Sequence, residues 1–198
     1  EVICRLMTDR KPLPGKLAFS RDLFVLLFLL RGMPFVDLAF LRRCDLQGNV
    51  ITYHRRKTSR KLTVVVGKEA MEIIQKYMYA IPDSPYLFPI IQNPGKDEYG
   101  QYARMLRLQN YRLTQVANIL GIRDRLSTYT ARHTWATTAL RQNYNSSLIC
   151  DAMGHSSVKV TETYFQPYRD DEVNRMNSSL ITYILSKKKR GTDKKIRS

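Results

Sequence analysis

Acidic residues are scarce in this sequence for its size. Only 17 Asp and Glu stand against 33 Lys and Arg, giving a formal charge of +16 on 198 residues. That imbalance argues against a cationic partner and makes a polyanion the expected one, nucleic acid ahead of an anionic membrane surface. Long apolar runs are missing too. The longest, LFVLLFLL from Leu23 to Leu30, is eight residues, where a membrane span needs roughly 20; it reads as a buried core helix, and no membrane partner is expected. Cysteine is sparse: Cys4, Cys44 and Cys150 are odd in number, widely separated and without metal-ligand spacing or paired His. This excludes a disulfide framework or zinc motif and fits free buried thiols in a reducing cytoplasm. No charged and then apolar leader is seen. Paired carboxylates are lacking as well, since Asp151, Glu162, Asp170 and Asp171 are scattered, unlike the cluster a two-metal nuclease requires.

What is present suits one domain, because 43% apolar residues with twelve Tyr can build a core at this length. The opening EVICRLMTDRKPLPGK holds no complete element and reads as the end of something longer. The expected organisation is residues 1–19 as the end of an interdomain linker or a first partial element, 20–185 as the domain, and 186–198 as a basic, disordered tail.

Most segments read helical. Ser20 is a plausible N-cap for the apolar run, which Gly32 and Pro34 end, and PFVDLAFLRR is the next helix. NVITYHRRKTSRKLTVVV then changes the period: β-rich runs at Val50–Arg56 and Leu62–Val66 flank a basic turn holding Arg56, Lys57, Arg60 and Lys61. This is a hairpin, and Tyr86–Phe88 is a possible third strand. KEAMEIIQKYMYA is an amphipathic helix, and a long helix carrying Arg104, Arg107 and Arg112 runs to a C-cap at Gly121. The predicted class is mainly α with a small antiparallel β-sheet.

Two stretches near the C-terminus carry the chemistry. In STYTARHTWATTALRQN, Ser127 or Thr128 caps a helix with Arg132 near its first turn. A guanidinium beside a positive helix N-terminus suits phosphate. In MGHSSVKVTETYF, Gly154 ends a short helix, His155 sits on the corner, and Ser156 or Ser157 restarts a helix towards Tyr164. A corner His reads as one that bonds something outside rather than packing a core. Tyr164 either packs its helix or holds its phenol out as a nucleophile.

ARHTWAT, MGHSS and TETYF together resemble the C-terminal signature of the tyrosine recombinases, the phage integrase family. Arg132 matches the arginine of an RHTFAT-like box, His155 the Leu-Gly-His corner, and Tyr164 the nucleophile nine residues beyond. YHRRKTSRKLTVVV resembles the family's hairpin, with Lys57 at the position of its turn lysine, and Asp37 and Asp45 fall where the family keeps carboxylates. The resemblance implies the recombinase catalytic-domain fold over residues 20 to 185, preceded by DNA-binding regions. It implies site-specific cleavage and rejoining of double-stranded DNA through a covalent 3′-phosphotyrosine, without metal, nucleotide or other small-molecule cofactor, in agreement with the scattered carboxylates, by a homotetramer assembled on DNA in the bacterial cytoplasm at the nucleoid. Arg132 and His155 would donate to the phosphate oxygens and Lys57 would protonate the leaving 5′-oxygen. Arg56, Arg60, Lys61, Arg104, Arg107, Arg112 and His133 would hold the DNA. Type IB topoisomerases use similar chemistry, and a DNA-binding module that no longer cuts is a further alternative.

The sequence departs from the family at two points. In RGMPF, Pro34 stands where the family's first arginine is expected, and Arg31, just before Gly32, is the candidate to replace it, with Arg42 or Arg43 as others. Tyr129 occupies the position of the family's His three residues before Arg132. A phenol there donates a hydrogen bond, but its ordinary pKa of ~10 unfits it for proton transfer near neutrality. The helix expected at Asp171–Leu185, with Val173, Met176, Leu180, Ile181 and Ile184, either closes its own core or docks on a neighbouring protomer.

Overall fold

The apolar run Leu23–Leu30 becomes the axis of the fold. In the computed structural model, which describes residues 2–9, 11–163 and 174–182, the elements follow in chain order as α1 (Val2–Thr8), α2 (Gly15–Leu29), α3 (Phe35–Ala39), β1 (Leu46–Gln47), β2 (Val50–His54), β3 (Lys61–Val65), α4 (Lys68–Tyr77), α5 (Glu98–Leu120), α6 (Thr128–Arg141), α7 (Ser146–Met153) and α8 (Val158–Glu162). Helix α2 touches α1, α4, α5 and α6, and Leu23, Phe24, Val25, Leu26 and Leu27 are all buried. A helix packed on several sides needs apolar residues all round, not along one stripe. The class is as expected: helices with a small antiparallel sheet of order β1-β2-β3. Among the described residues no helix is long and apolar enough to cross a membrane.

The structure corrects four local readings. Of the three thiols expected to be buried only Cys150 is, and Cys4 and Cys44 are exposed. Residues 1–19 contain α1 and the start of α2; Ile3 and Leu6 lie in the core, and Arg5 donates to the carbonyls of Leu120 and Gly121 at the end of α5, where a cation meets the helix's negative end. Ser20 is not a cap. Pro14 stands at the N-cap of α2, a place where its missing N–H costs nothing, while Ser20 is buried mid-helix. The third strand is Leu46–Gln47 and not Tyr86–Phe88, of which only Tyr86 forms an isolated bridge, to Arg42. Gly48 at φ +59° turns the chain back within two residues, whereas Pro85 and Pro89 flank the other segment and bar a regular ladder.

Polar fasteners hold the outer helices. Asp22 of α2 accepts from Lys76 at 2.8 Å and Tyr77 at 2.6 Å on α4. Arg43 donates to the carbonyls of Met78, Ile81 and Pro82 beyond the end of α4. Ser127 caps α6, accepting from the Thr130 N–H, and Gly121 and Gly154 end α5 and α7 in the left-handed conformation at φ +64° and +63°, as their place in the sequence predicts.

The strands pair from Val50↔Val65 to His54↔Lys61. Residues 55–60 form the turn, closed by Arg55 N–H to Arg60 C=O at 2.9 Å and Ser59 N–H to Arg55 C=O at 2.7 Å. Alternation puts Ile51, Tyr53 and Arg55 on the buried face. Residues 174–182 form a helix of their own, on which Met176, Leu180 and Ile181 are exposed. Val173, Ile184 and the tail 186–198 lie outside the described residues.

Candidate active site

The second turn of α6 carries Arg132 inward. Its side chain is buried, and it donates from Nη1 to the Gly32 carbonyl at 2.5 Å and from Nη2 to the Met153 carbonyl at 3.0 Å. Two glycines make room for this. Gly32 has φ +66°, and a Cβ there would lie 3.1 Å from Arg132 Cα, so the RGMP turn serves as a platform on which the arginine rests. Gly154 has φ +63°, and a Cβ on it would come within 2.8 Å of Arg55 Cδ and of Leu62 Cδ1; its absence lets the hairpin close onto the corner.

His155 stands on that corner, but it faces inward. It is 5% exposed, with Nε2 2.6 Å from Arg132 Nη2 and Nδ1 2.7 Å from Thr161 Oγ1. A guanidinium only donates, so Nε2 is the acceptor and the neutral ring carries its proton on Nδ1, donated to Thr161. Burial, then the charges of Arg132, Arg55 and Lys57, push the imidazole pKa down to about 4. His155 is therefore neutral at physiological pH, and the positive field that disfavours its protonation also favours an anion nearby.

The hairpin turn is fastened to the same corner. Arg55, 7% exposed, donates from Nη1 to the carbonyls of Met153 and Gly154, both at 3.0 Å. Its Nε lies 3.4 Å from Asp37 Oδ2 on α3, and Asp37 Oδ1 accepts from the Arg56 N–H at 3.0 Å. Burial raises the Asp37 carboxyl, against the opposing pull of the Arg56 N–H and of Arg55 and Arg132. Thr58 Oγ1 reaches the Gly154 carbonyl at 3.3 Å, and Arg60 reaches the His155 carbonyl at 3.3 Å and the Asp151 carboxylate at 2.9 Å. Lys57, at the head of this turn, is exposed and close enough for its charge to act on His155.

Of the residues expected at the site, the structure thus brings together Arg132, His155 and Lys57. Tyr164 lies outside the described residues. Arg31, at φ +59°, turns its guanidinium to the Thr63 carbonyl at 3.3 Å and lines an apolar groove with Trp135, Ala139 and Tyr144. Tyr129 is exposed and stacks on His133, centroids 6.5 Å apart. Among the expected DNA contacts, Arg56, Lys61, Arg104 and Arg107 are exposed, Arg112 and His133 half-buried. Arg56 lies over the Phe40 ring at 3.8 Å, Arg104 pairs with Asp97 at 3.7 Å, and Arg60 is committed to the His155 corner.

Arg55 and Thr161 do not stand out in the sequence as site residues. For Arg55 a signal exists: it follows Ile51 and Tyr53 at two-residue spacing, so the strand period puts it on the inner face, opposite in sense to Arg56. Thr161 carries no comparable sign, because its role depends on the chain turning at Gly154.

The chain as a whole is similar to proteins of a known family. The sequence pattern of the phage integrase family matches residues 2–170. The chain is 26% identical over 167 residues to tyrosine recombinase XerC of Thermodesulfovibrio yellowstonii, covering 77% of this chain and 52% of that protein. It spans about half the length of that curated relative. The fold is similar to the crystal structure of XerA recombinase, with TM-score 0.60 and 20% identity over 89% of this chain and 62% of the other. It is likewise similar to XerH site-specific recombinase bound to its difH substrate, with TM-score 0.60 and 16% identity over 89% and 51%, and to the Tn1549 transposon integrase in complex with circular-intermediate DNA, with TM-score 0.61 and 18% identity over 86% and 66%.

Proposed function

The chain belongs to the phage integrase family, and from that premise we propose that it is a site-specific recombinase, acting on double-stranded DNA through a covalent 3′-phosphotyrosine. The observation that carries this reading is the buried Arg132–His155 pair under the hairpin that bears Lys57. Three nitrogen-bearing groups of this kind around one point suit a phosphodiester gaining charge in its transition state.

In this reading the Tyr164 phenol oxygen attacks the phosphorus while the bond to the 5′-oxygen breaks. The leaving oxygen takes a proton from Lys57 Nζ, a role fitted to an exposed ammonium on a turn. The phenol proton is lost to solvent as the attack proceeds, favoured by the positive field of Arg132 and Lys57, while Arg132, braced by neutral His155, donates to a non-bridging oxygen. The products are a 3′-phosphotyrosyl linkage and a free 5′-hydroxyl. Because the ester keeps the energy of the phosphodiester, a 5′-hydroxyl from another strand attacks it, the proton transfers run backwards, and the DNA is rejoined. Exchange of both strands between two sites needs one subunit per strand cut, hence a homotetramer on DNA in the bacterial cytoplasm, at the nucleoid. Arg56, Lys61, Arg104, Arg107, Arg112 and His133 are assigned to phosphate contacts, which position the duplex without reading its sequence.

The test uses DNA sites selected from a random pool by binding to the full-length protein, rebuilt with a nick that lets the 5′-hydroxyl fragment diffuse away. Wild type should become linked to DNA in the presence of a chelator, as seen on denaturing gels, and Tyr164→Phe should not. A bound site without any adduct from wild type would contradict the reading and leave a DNA-binding module.

A further inference from the structure

The site holds a second arginine. Arg55 and Arg132 donate to the same acceptor, the Met153 carbonyl, each at 3.0 Å. Two guanidiniums so placed repel each other, and both are nine-tenths buried. The one buried carboxylate beside them among the described residues is Asp37, 3.4 Å from Arg55 Nε. The cluster Arg55, Arg132 and Asp37 therefore carries an excess positive charge, with Lys57 adding to it from the turn. Buried excess charge is costly unless a ligand of opposite sign completes it.

The donors show where that ligand belongs. Nη1 of Arg55 is taken up by the carbonyls of Met153 and Gly154, and Nε faces Asp37. Nη2 bonds no described residue, yet it is not among the side-chain atoms sealed from solvent without a partner, as Nε is. One arm of a buried fork thus bonds no described residue, while Nη1 fixes its direction on two carbonyls and the Asp37 charge draws Nε from the other side. This arrangement is preorganised: the cost of orienting the guanidinium is met by the fold before the ligand arrives.

We propose that Arg55 is a catalytic residue whose Nη2 donates to a non-bridging oxygen of the scissile phosphate, supplying the second guanidinium of the site. The assignment rests on the recombinase reading above. It also accounts for Pro34: the turn around Gly32 supports Arg132 through its carbonyl, and the arginine missing from that turn is furnished by the hairpin. Arg31 does not have this placement, since its guanidinium bonds the Thr63 carbonyl and its side chain lines the groove beside Trp135. The charges acting on His155 are consistent with the choice, as Arg132, Arg55 and Lys57 depress its protonation and Arg31 is not among them.

The experiment compares adduct formation in single turnover by wild type, Arg55→Ala, Arg55→Lys and Arg31→Ala. Each is given two nicked substrates on the selected site: one with an ordinary scissile phosphodiester, the other with a methylphosphonate there, in which a neutral methyl replaces a non-bridging oxygen. DNA affinity is measured in parallel. Arg55→Ala should slow adduct formation on the phosphodiester by about 100- to 1000-fold at saturating DNA. On the methylphosphonate, where there is less charge to stabilise, the deficit should shrink below tenfold. Should Arg55→Ala fail to fold, judged by its melting curve, Arg55→Lys keeps the cation beside Asp37 without the fork and should show the same substrate-dependent deficit. An equal deficit on both substrates would mean that Arg55 only positions the corner, and would overturn the proposal, as would a deficit relieved by methylphosphonate in Arg31→Ala and not at Arg55. Wild type that binds its site but forms no adduct overturns the recombinase reading itself, and this assignment with it.

Discussion

Nη2 of Arg132 and Nε2 of His155 stand 2.6 Å apart, which makes the histidine an acceptor with its proton on Nδ1. The chain has only three histidines, so its imidazole resonances are readily assigned. We expect the His155 ring to titrate near pH 4, against an ordinary ~6.5. The folded pKa lies below the unfolded one, so the unfolded chain binds the proton first. Stability is then full above about pH 6.5, falls as pH drops towards about 4, and levels off below, by up to ~3 kcal/mol in all. Denaturant midpoints between pH 4 and 7 should show this slope, and His155→Gln should lack it.

Gly154→Ala should destabilise the protein by ~1–3 kcal/mol. A residue with a Cβ at φ +63° is strained, and that Cβ would meet Arg55 Cδ and Leu62 Cδ1 at 2.8 Å. Since the hairpin would be pushed from the corner, adduct formation should fall by more than DNA binding does. Unchanged melting and rate would mean that the corner tolerates a side chain, and that the hairpin is not fixed by it.

Lys57→Ala should slow cleavage by about 100-fold or more, because the 5′-oxygen would leave without its proton. A substrate with sulfur in place of that oxygen leaves as a stable thiolate and should restore most of the rate. The same deficit on both substrates would show that Lys57 serves binding and not proton transfer.

Asp22→Asn should weaken the attachment of α4 to α2, costing ~2–3 kcal/mol at neutral pH. Burial raises the Asp22 carboxyl, but the bonds from Lys76, Tyr77 and Arg21 outweigh it and hold the pKa below the ordinary value. A depressed carboxyl stabilises above the unfolded pKa of ~3.9 and loses that contribution as pH falls through its folded value. The gap between wild type and variant should therefore narrow below about pH 4, measured by thermal melts across that range.

Features encoded within a few residues are legible in the sequence itself: the Ser127 cap, the left-handed glycines at 121 and 154, the hairpin from its β-rich runs, and the spacing of Arg132, His155 and Tyr164. Features that depend on distant partners are not. Helix α1 owes its place to Ile3 and Leu6 in the core and to Arg5 at the end of α5, and strand β1 is two residues of an element defined by its neighbour. The inward turn of His155 is hidden for the same reason, since Arg132 and Thr161 are brought to it by three helices. Arg55 lies between: the strand period places it inside, while the basic turn beside it makes Arg56 and Arg60 the more conspicuous residues.

The central claim, that Tyr164 forms the bond to DNA, is tested most directly by digesting the protein–DNA adduct and sequencing the modified peptide by mass spectrometry. The account predicts a nucleotide joined through its 3′-phosphate to Tyr164, with a 5′-hydroxyl on the released strand. A modification on any other residue, or a 5′-phosphate linkage, would contradict it.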